Sequence, residues 1–151
     1  MAPSFDKDLM IVLNDVARVI RTRFDQRARA FGMTRAQWII LARLSRQPGM
    51  SQNEMAAICE VEPITVGRLI DRLESRGLVE RRADPADRRI RRLHLLPGAQ
   101  PIIDEISRYK DELHAELAQN VSGDDYKRVV DALLTIKENL SASPKLAMAG
   151  E

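Results

Sequence analysis

The spacing of apolar residues changes at Gly77, where a helical period gives way to short strand-like segments, and this change limits the folds that the sequence can adopt. Before Gly77, two short helices are predicted a few residues apart, because a capping-box sequence starts at Ser51 and Pro63 suits a first helical turn. After Gly77, segments 78–82 and 90–95 favour two short strands joined by a turn-rich loop. Two short helices followed by a hairpin are the parts of a winged helix-turn-helix.

Amphipathic helices are predicted on both sides of this region. Apolar residues recur every three or four positions over 5–31, and the same spacing returns over 102–117 and 126–140. Thr34 and Gln37 have the capping-box spacing and predict the start of another helix. We therefore expect a mainly α fold with a small β-hairpin wing, a winged helix-turn-helix between flanking helices.

Positive charge is concentrated in the first two thirds of the chain. Residues 1–100 hold 18 Lys and Arg against 12 Asp and Glu, whereas residues 101–151 hold 6 against 10. Lys7 is the only lysine among the first hundred residues, so the excess there consists of arginine. Because a planar guanidinium suits phosphates and guanine edges, this asymmetry predicts a part of the chain that faces nucleic acid.

Several protein classes are excluded by what the sequence lacks. Cys59 is the single cysteine, which excludes an internal disulfide scaffold. No apolar run approaches the ~18 residues of a membrane span, and acidic residues near the N-terminus oppose a signal peptide. We therefore expect a soluble cytoplasmic protein without a membrane partner. No nucleophile–base pair or phosphate-binding glycine loop indicates an enzyme or a cofactor, and His94 and His114 lack the neighbours of a metal site.

The helix predicted to begin near Pro63 carries residues suited to DNA. Thr65, Arg68 and Arg72 lie at i, i+3 and i+7 and so share one helical face. Arg68 can bind guanine through two hydrogen bonds, and the N-terminal part of the helix, with Ile64 and Thr65, usually enters a groove first. The alternative is a solvated face on which both arginines pair with acidic neighbours, namely Asp71, Glu74 or Glu80.

The other face of the same helix is predicted to be buried. Leu69, Ile70 and Leu73 lie on it at helical spacing. Gly67 costs about 1 kcal/mol of helix propensity relative to alanine. Close approach to another element or to DNA explains such a glycine, and tolerated sequence drift explains it equally well.

Arginine is most concentrated around the predicted hairpin. Seven arginines lie between residues 76 and 92: Arg76, Arg81, Arg82, Arg88, Arg89, Arg91 and Arg92. Arginines at a hairpin tip can enter a minor groove, and those on its strands can bind phosphates. The alternative is a solvated hairpin whose arginines pair with Glu80, Asp84 and Asp87, each pair contributing little stability.

Four stretches of this sequence resemble the MarR/SlyA family of winged-helix transcription regulators. They are Thr34-Arg-Ala-Gln-Trp38, Ser51-Gln-Asn-Glu-Met-Ala56, Arg68-Leu-Ile-Asp-Arg-Leu-Glu-Ser-Arg-Gly-Leu-Val79 and the wing signature Asp84-Pro-Ala-Asp-Arg-Arg89. The flanking helices match in pattern rather than in residues, so the resemblance covers about residues 8–140. Leu96 departs from it, since such proteins usually have a threonine there that caps the next helix.

The resemblance implies a homodimer whose first and last helices interlock and which binds a pseudo-palindromic site in double-stranded DNA. It also implies that Arg68 contacts bases, that Arg88 or Arg89 enters the minor groove, and that Asp87 braces the wing. The apolar stripes of the flanking helices support a dimer independently, because they exceed what a monomer of this size would cover. The candidate DNA-binding residues are Ser51, Gln52, Pro63, Ile64, Thr65, Arg68, Arg72, Asp87, Arg88, Arg89 and Arg91.

The same resemblance implies a site for a small phenolic or aromatic carboxylate effector. Arg18 matches a position that binds a ligand carboxylate in SlyA-like members, and Trp38 is the aromatic candidate, with core packing as its alternative role. Ala42 stands where those members have a histidine. Cys59 lies in the turn of the helix-turn-helix, whereas the peroxide-sensing cysteine of some members lies in the first helix, so we interpret Cys59 as structural.

The sequence thus predicts a DNA-binding transcription regulator, a repressor that a small aromatic effector would release. The rival hypothesis is a winged-helix protein-assembly module without sequence-specific DNA binding, and an arginine-tipped wing argues against it. The predicted domains are a DNA-binding winged helix-turn-helix at 33–96, a helical dimerisation region at 5–31 plus 97–141, and a flexible tail at 142–151.

Overall fold

The computed structural model describes residues 4–142, which fall into two compact units, one ending at Ser107 and one beginning at Arg108. The elements, in chain order, are a 3-10 turn at Phe5–Lys7, α1 Leu9–Ala30, α2 Arg35–Arg46, α3 Gln52–Cys59, α4 Pro63–Ser75, β1 Val79–Ala83, β2 Arg91–Leu95, a 3-10 turn at Pro97–Ala99, α5 Gln100–Leu117 and α6 Gly123–Ala142. The predicted fold class, mainly helical with one small hairpin, is confirmed within these residues.

Local signals in the sequence set most of the helix boundaries. Thr34 caps α2 and Ser51 caps α3, each in a capping box. The Ser51 hydroxyl accepts from the Glu54 amide at 3.1 Å, and the Glu54 carboxylate accepts from the Ser51 amide at 2.9 Å. Pro63 occupies the first turn of α4, and Gly77 follows that helix with a φ of 70°. These predicted boundaries are confirmed.

Two predicted boundaries differ from the structure. The first helix begins at Leu9 rather than at residue 5, because the Asp8 carboxylate caps it by accepting from the Met10 amide at 2.9 Å. Helix α6 continues through Ala142, which is the first residue of the predicted tail. The rest of that tail, residues 143–151, lies outside the described residues.

Strands β1 and β2 pair in an antiparallel hairpin, in which Val79 lies opposite Leu95 and Ala83 lies opposite Arg91. Each strand begins one residue later than predicted. The second strand starts late because Ile90 belongs to the turn, where two backbone hydrogen bonds of 2.9 and 3.0 Å hold it. The wing predicted from the change in apolar spacing is confirmed.

The core of the first unit fixes the orientation of α4. Ile70 and Leu73 of α4, Leu44 of α2 and Leu93 of β2 are completely buried. Truncating a buried leucine or isoleucine to alanine costs about 2–5 kcal/mol, so this packing holds one face of α4 inward. Leu69, predicted to point into the core, is only half-buried, because it lies at the edge of the buried stripe.

Two helices expose apolar side chains along much of their length. In the second unit, α6 has no buried residue, and Val129 and Leu134 are 55 % and 53 % exposed. In the first unit, α1 spans 22 residues, of which only Ala28 is buried. Val16 of α1 is 45 % exposed. None of the helices in the described part of the chain is long and apolar enough to cross a membrane.

Candidate nucleic-acid interface

The outward face of α4 carries the polar residues predicted for it. Thr65, Arg68 and Arg72 are exposed there, and Ile64 near the helix N-terminus is 66 % exposed. Burial of the opposite face in the core turns these side chains toward solvent. The face is therefore accessible to a large ligand along more than two helical turns.

The acidic neighbours of these α4 arginines are occupied elsewhere. Asp71 and Glu74 bind Arg81 at 2.8 and 2.7 Å, and Glu80 binds Arg82. Within residues 4–142, neither arginine on the outward face of α4 forms a side-chain ion pair, so the alternative of a self-paired face is wrong. Both guanidinium groups are available to acceptors outside the chain.

The tip of the hairpin presents Arg89 on a carboxylate support. The Asp87 carboxylate accepts from Arg89 Nε at 3.0 Å, from Arg89 Nη2 at 2.9 Å and from the Arg89 amide at 3.1 Å. These bonds lower the pKa of Asp87 and leave the Nη1 donors of Arg89 unused by the described chain. The Arg89 side chain is 90 % exposed. Arg88 and Arg91 are exposed as well, and neither has an ion pair among the described residues.

Asp84 shapes the turn of the hairpin from its inner side. Its nearly buried carboxylate accepts from the amides of Ala86 at 2.7 Å and Asp87 at 3.2 Å, and it also binds Arg92. The hydrogen bond from Arg92 is the main reason why the pKa of Asp84 is lowered. Arg92 also donates to the Gly49 carbonyl at 3.0 Å, which anchors the turn to the segment before α3.

Arg81 joins the first strand of the wing to both helices of the helix-turn-helix. Only 19 % of its side chain is exposed, and it donates to the Gly67 carbonyl at 2.9 Å and to Gln52 Oε1 at 3.3 Å. Gln52 Nε2 donates to the Pro63 carbonyl at 3.3 Å. Both ends of the Gln52 amide are therefore engaged within the chain. Its contact with DNA stays a prediction.

Gly67 is the point of α4 at which these groups meet. A side chain there would place its Cβ 3.0 Å from Gln52 Nε2, which is tighter than ordinary contact. Close approach to another element, one of the two explanations that the sequence left open, therefore accounts for this glycine. Arg81 is absent from the predicted site residues, although strand alternation does place it on the same face as the buried Val79.

The arginines around α4 and the hairpin fall into two sets, except Arg82, which is exposed but pairs with Glu80. The inner arginines bind carbonyl or carboxylate groups of other elements or of the turn: Arg76, Arg81 and Arg92. The outer arginines lie exposed on α4 and at the end of the wing: Arg68, Arg72, Arg88, Arg89 and Arg91.

The two residues predicted to bind an effector occupy different surroundings. Arg18 lies on an exposed part of α1 and pairs with Asp15 at 3.3 Å. Trp38 is buried, with ring centroids 6.4 Å from Phe24 and 6.0 Å from Phe31, so its core-packing role is confirmed. Neither residue lines the cavity of about 480 Å³ at the base of the hairpin. Their binding of a ligand stays a prediction.

Cys59 has the environment of a structural thiol. Partial burial raises its pKa, and the positive charge of Arg43 offsets this only in part. A raised pKa lowers the thiolate fraction, which supports the interpretation of Cys59 as structural. Among the described residues, no cluster of His, Cys, Asp and Glu side chains could hold a metal ion.

Comparison with known proteins places the chain in a family. A family model described as MarR family matches residues 31–90. The crystal structure of the transcriptional regulator PA3341 is 30 % identical in sequence, and the match covers 90 % of this chain and 100 % of that one with a TM-score of 0.80. The chain belongs to the MarR family. The resemblance drawn from its sequence motifs is thereby confirmed.

Other solved structures match over a similar length. The crystal structure of MarR has a TM-score of 0.76 at 27 % identity, and the match covers 93 % of this chain and 96 % of MarR. The S. aureus MepR–DNA complex has a TM-score of 0.77 at 21 % identity, covering 91 % of this chain and 99 % of that one. At that identity the likeness concerns the winged-helix fold alone.

Proposed function

We propose that this MarR-family chain regulates transcription by binding double-stranded DNA in a sequence-specific manner, through a DNA-binding domain at residues 33–96. The observation that carries this proposal is the state of the outer arginines. They have no acidic partner in the described chain apart from the Asp87 support, although Asp71, Glu74 and Glu80 lie close by in sequence. An assembly module has no comparable reason to keep unneutralised guanidinium groups on one surface.

In this proposal α4 enters the major groove. Arg68 donates two hydrogen bonds to a guanine edge, and Thr65 contacts a phosphate or a thymine methyl group. Ile64 and Pro63 lie at the N-terminal end of the helix, the part that meets the bases first. Arg72, one turn further along, binds phosphate, as does Ser51 at the start of α3.

The wing enters the flanking minor groove through Arg89 rather than Arg88. The Asp87 carboxylate binds the Nε and Nη2 edge of Arg89, which orients the guanidinium and leaves Nη1 to reach acceptors in the groove. A narrow minor groove has the negative potential that attracts such a group. Arg88 and Arg91 then contact the phosphates on either side.

A homodimer supplies the second half of the binding site. The exposed apolar residues of α1 and α6 form surfaces that a soluble chain normally covers. A two-fold symmetric interface buries these surfaces on both subunits. Sedimentation equilibrium should give twice the chain mass of 17.1 kDa. Val16→Asp should shift the protein toward the monomer, whereas Val61→Asp, in the turn before α4, should not. A wild-type monomer at micromolar concentration would exclude the dimer.

Repression is the regulatory outcome that we propose, since a dimer occupying both grooves of a promoter blocks access by polymerase. A small aromatic carboxylate that binds near Arg18 would relieve it by favouring a conformation with lower DNA affinity. The cytoplasm is the proposed compartment.

Selection of bound sequences from a random DNA pool tests the DNA-binding proposal. We expect enrichment of an inverted repeat whose half-sites are about one helical turn apart, 10–10.5 base pairs from centre to centre. A protein-assembly module would enrich no sequence and would bind DNA weakly, if at all. Absence of enrichment at low salt would therefore favour the module.

A further inference from the structure

Arg81 makes the densest set of side-chain contacts around the hairpin. Its Nη1 lies 2.8 Å from Asp71 Oδ1 and 2.7 Å from Glu74 Oε2, and its Nη2 donates to the Gly67 carbonyl at 2.9 Å. The Arg81 amide also donates to Glu74 Oε1 at 2.9 Å. One residue of β1 thus bonds to two successive turns of α4, and through Gln52 it also bonds to α3.

We propose that Arg81 is a positioning residue that fixes the wing relative to α4, so that both can engage one DNA site together. This inference rests on the proposed DNA-binding function. Arg81 itself is turned inward and does not touch DNA. The chemistry requires arginine, because only its planar fork of donors can satisfy two carboxylates, a backbone carbonyl and an amide oxygen at once.

Gly67 and Gln52 complete this arrangement. The missing side chain at Gly67 admits the Gln52 amide to the surface of α4, and the Gly67 carbonyl accepts from Arg81 on the same surface. Gln52 accepts from Arg81 and donates to the Pro63 carbonyl at the start of α4. The inward orientation of Gln52 and the glycine within α4 therefore have one common explanation.

A fixed wing has a measurable consequence for binding. When α4 and the wing are held together, binding of one makes binding of the other an intramolecular event with a high effective concentration. When the connection is loosened, the wing arginine should contribute less to affinity. The contribution of Arg89 should therefore depend on Arg81, which a double-mutant cycle detects as non-additivity.

The experiment compares the cost of Arg89→Ala in three backgrounds, using DNA selected by the wild-type protein. Arg82→Gln is the matched control, because it removes the same charge from the next residue of β1. Within the described chain, the Arg82 side chain binds only Glu80. We expect Arg89→Ala to weaken binding about tenfold in the wild-type and Arg82→Gln backgrounds. In the Arg81→Gln background the loss should be under about threefold, since the wing is no longer held.

Equal losses in all three backgrounds would overturn the inference and leave Arg81 a purely structural role, while the DNA-binding function would stand. If Arg81→Gln fails to fold, Arg81→Lys replaces it, since lysine keeps the charge and can still bind one carboxylate. Partial loss of the coupling is then expected, and full coupling would contradict the proposal.

A second measurement does not depend on DNA. Spin labels at Ser75→Cys and Ala86→Cys, in a Cys59→Ser chain diluted with unlabelled protein, report the distance between the end of α4 and the wing turn. The distance distribution should broaden with Arg81→Gln and stay narrow with Arg82→Gln. Identical distributions would refute the positioning role even if the wild-type protein bound no DNA.

Discussion

The inner and outer arginines of the hairpin have the same side chain but opposite surroundings. The inner Arg81 and Arg92 bind carboxylates and carbonyls, and 19 % and 36 % of their side chains are exposed. At the tip, Arg89 is 90 % exposed on the Asp87 support, and Arg88 has no ion pair within residues 4–142. The number of arginines in a segment therefore does not measure its DNA-binding charge. The acceptors within reach of each guanidinium decide which arginines remain available.

The largest expected loss of affinity comes from an outer arginine. Arg68→Ala should weaken binding to the selected DNA about tenfold to a hundredfold, because a bidentate contact to guanine is lost, and Tm should not change. Fluorescence anisotropy titration measures the affinity, with Arg128→Ala of α6 as the control that removes an equal charge. Equal affinities for the two variants would place Arg68 outside the interface.

Loss of the carboxylate that an inner arginine binds should lower the stability of the fold. Asp84→Asn removes the charge that Arg92 binds, so Tm at pH 7 should fall by several degrees. The pKa of Asp84 is lowered in the folded chain, so its carboxylate stabilises the fold above the unfolded value of about 3.9 and loses this effect as the pH falls further. The Tm difference from wild type should therefore narrow below about pH 4. A difference independent of pH would contradict the ion-pair explanation, and Asp124→Asn in α6 is the control.

A substitution at the tip of the hairpin should lower the affinity for DNA and leave the Tm nearly unchanged. Asp87→Asn weakens the support of Arg89, and we expect binding to fall about twofold to fivefold, the range of an exposed ion pair. Thermal unfolding beside the DNA titration separates the two effects. A large fall in Tm with unchanged affinity would show that Asp87 holds the turn together rather than presenting Arg89 to DNA.

The smallest expected effect concerns the effector. Salicylate should bind the wild-type protein and lower its affinity for DNA, and Arg18→Ala should weaken salicylate binding a few-fold because one exposed charge pair is lost. Isothermal titration calorimetry measures this directly. Identical binding by both proteins would remove Arg18 from the site.

Much of the fold could be predicted because its signals are local. The capping boxes at Thr34 and Ser51, Pro63 and Gly77 each act within one helical turn, and each stands where expected. The outward face of α4 followed from the 3.6-residue period alone. The cap at Asp8 was missed because the apolar spacing continues on both sides of it.

The division between inner and outer arginines could not be predicted from the sequence. Arg81 and Arg82 are adjacent and chemically identical, and strand alternation separates their faces without identifying the acceptors. Those acceptors, on α4 and α3, come within reach only in the folded chain. The acids Asp71 and Glu74 looked like partners for the outer arginines because they are close in sequence.

Hydroxyl-radical footprinting on the selected DNA tests whether the outer arginines bind DNA, since this reagent reports protection of the minor groove. The wild-type protein should protect two minor-groove segments that flank the half-sites symmetrically. Arg89→Ala should lose this protection but still shield guanine N7 in the major groove from methylation through Arg68. A minor-groove footprint that is unchanged by Arg89→Ala would contradict the assignment of the outer arginines to DNA.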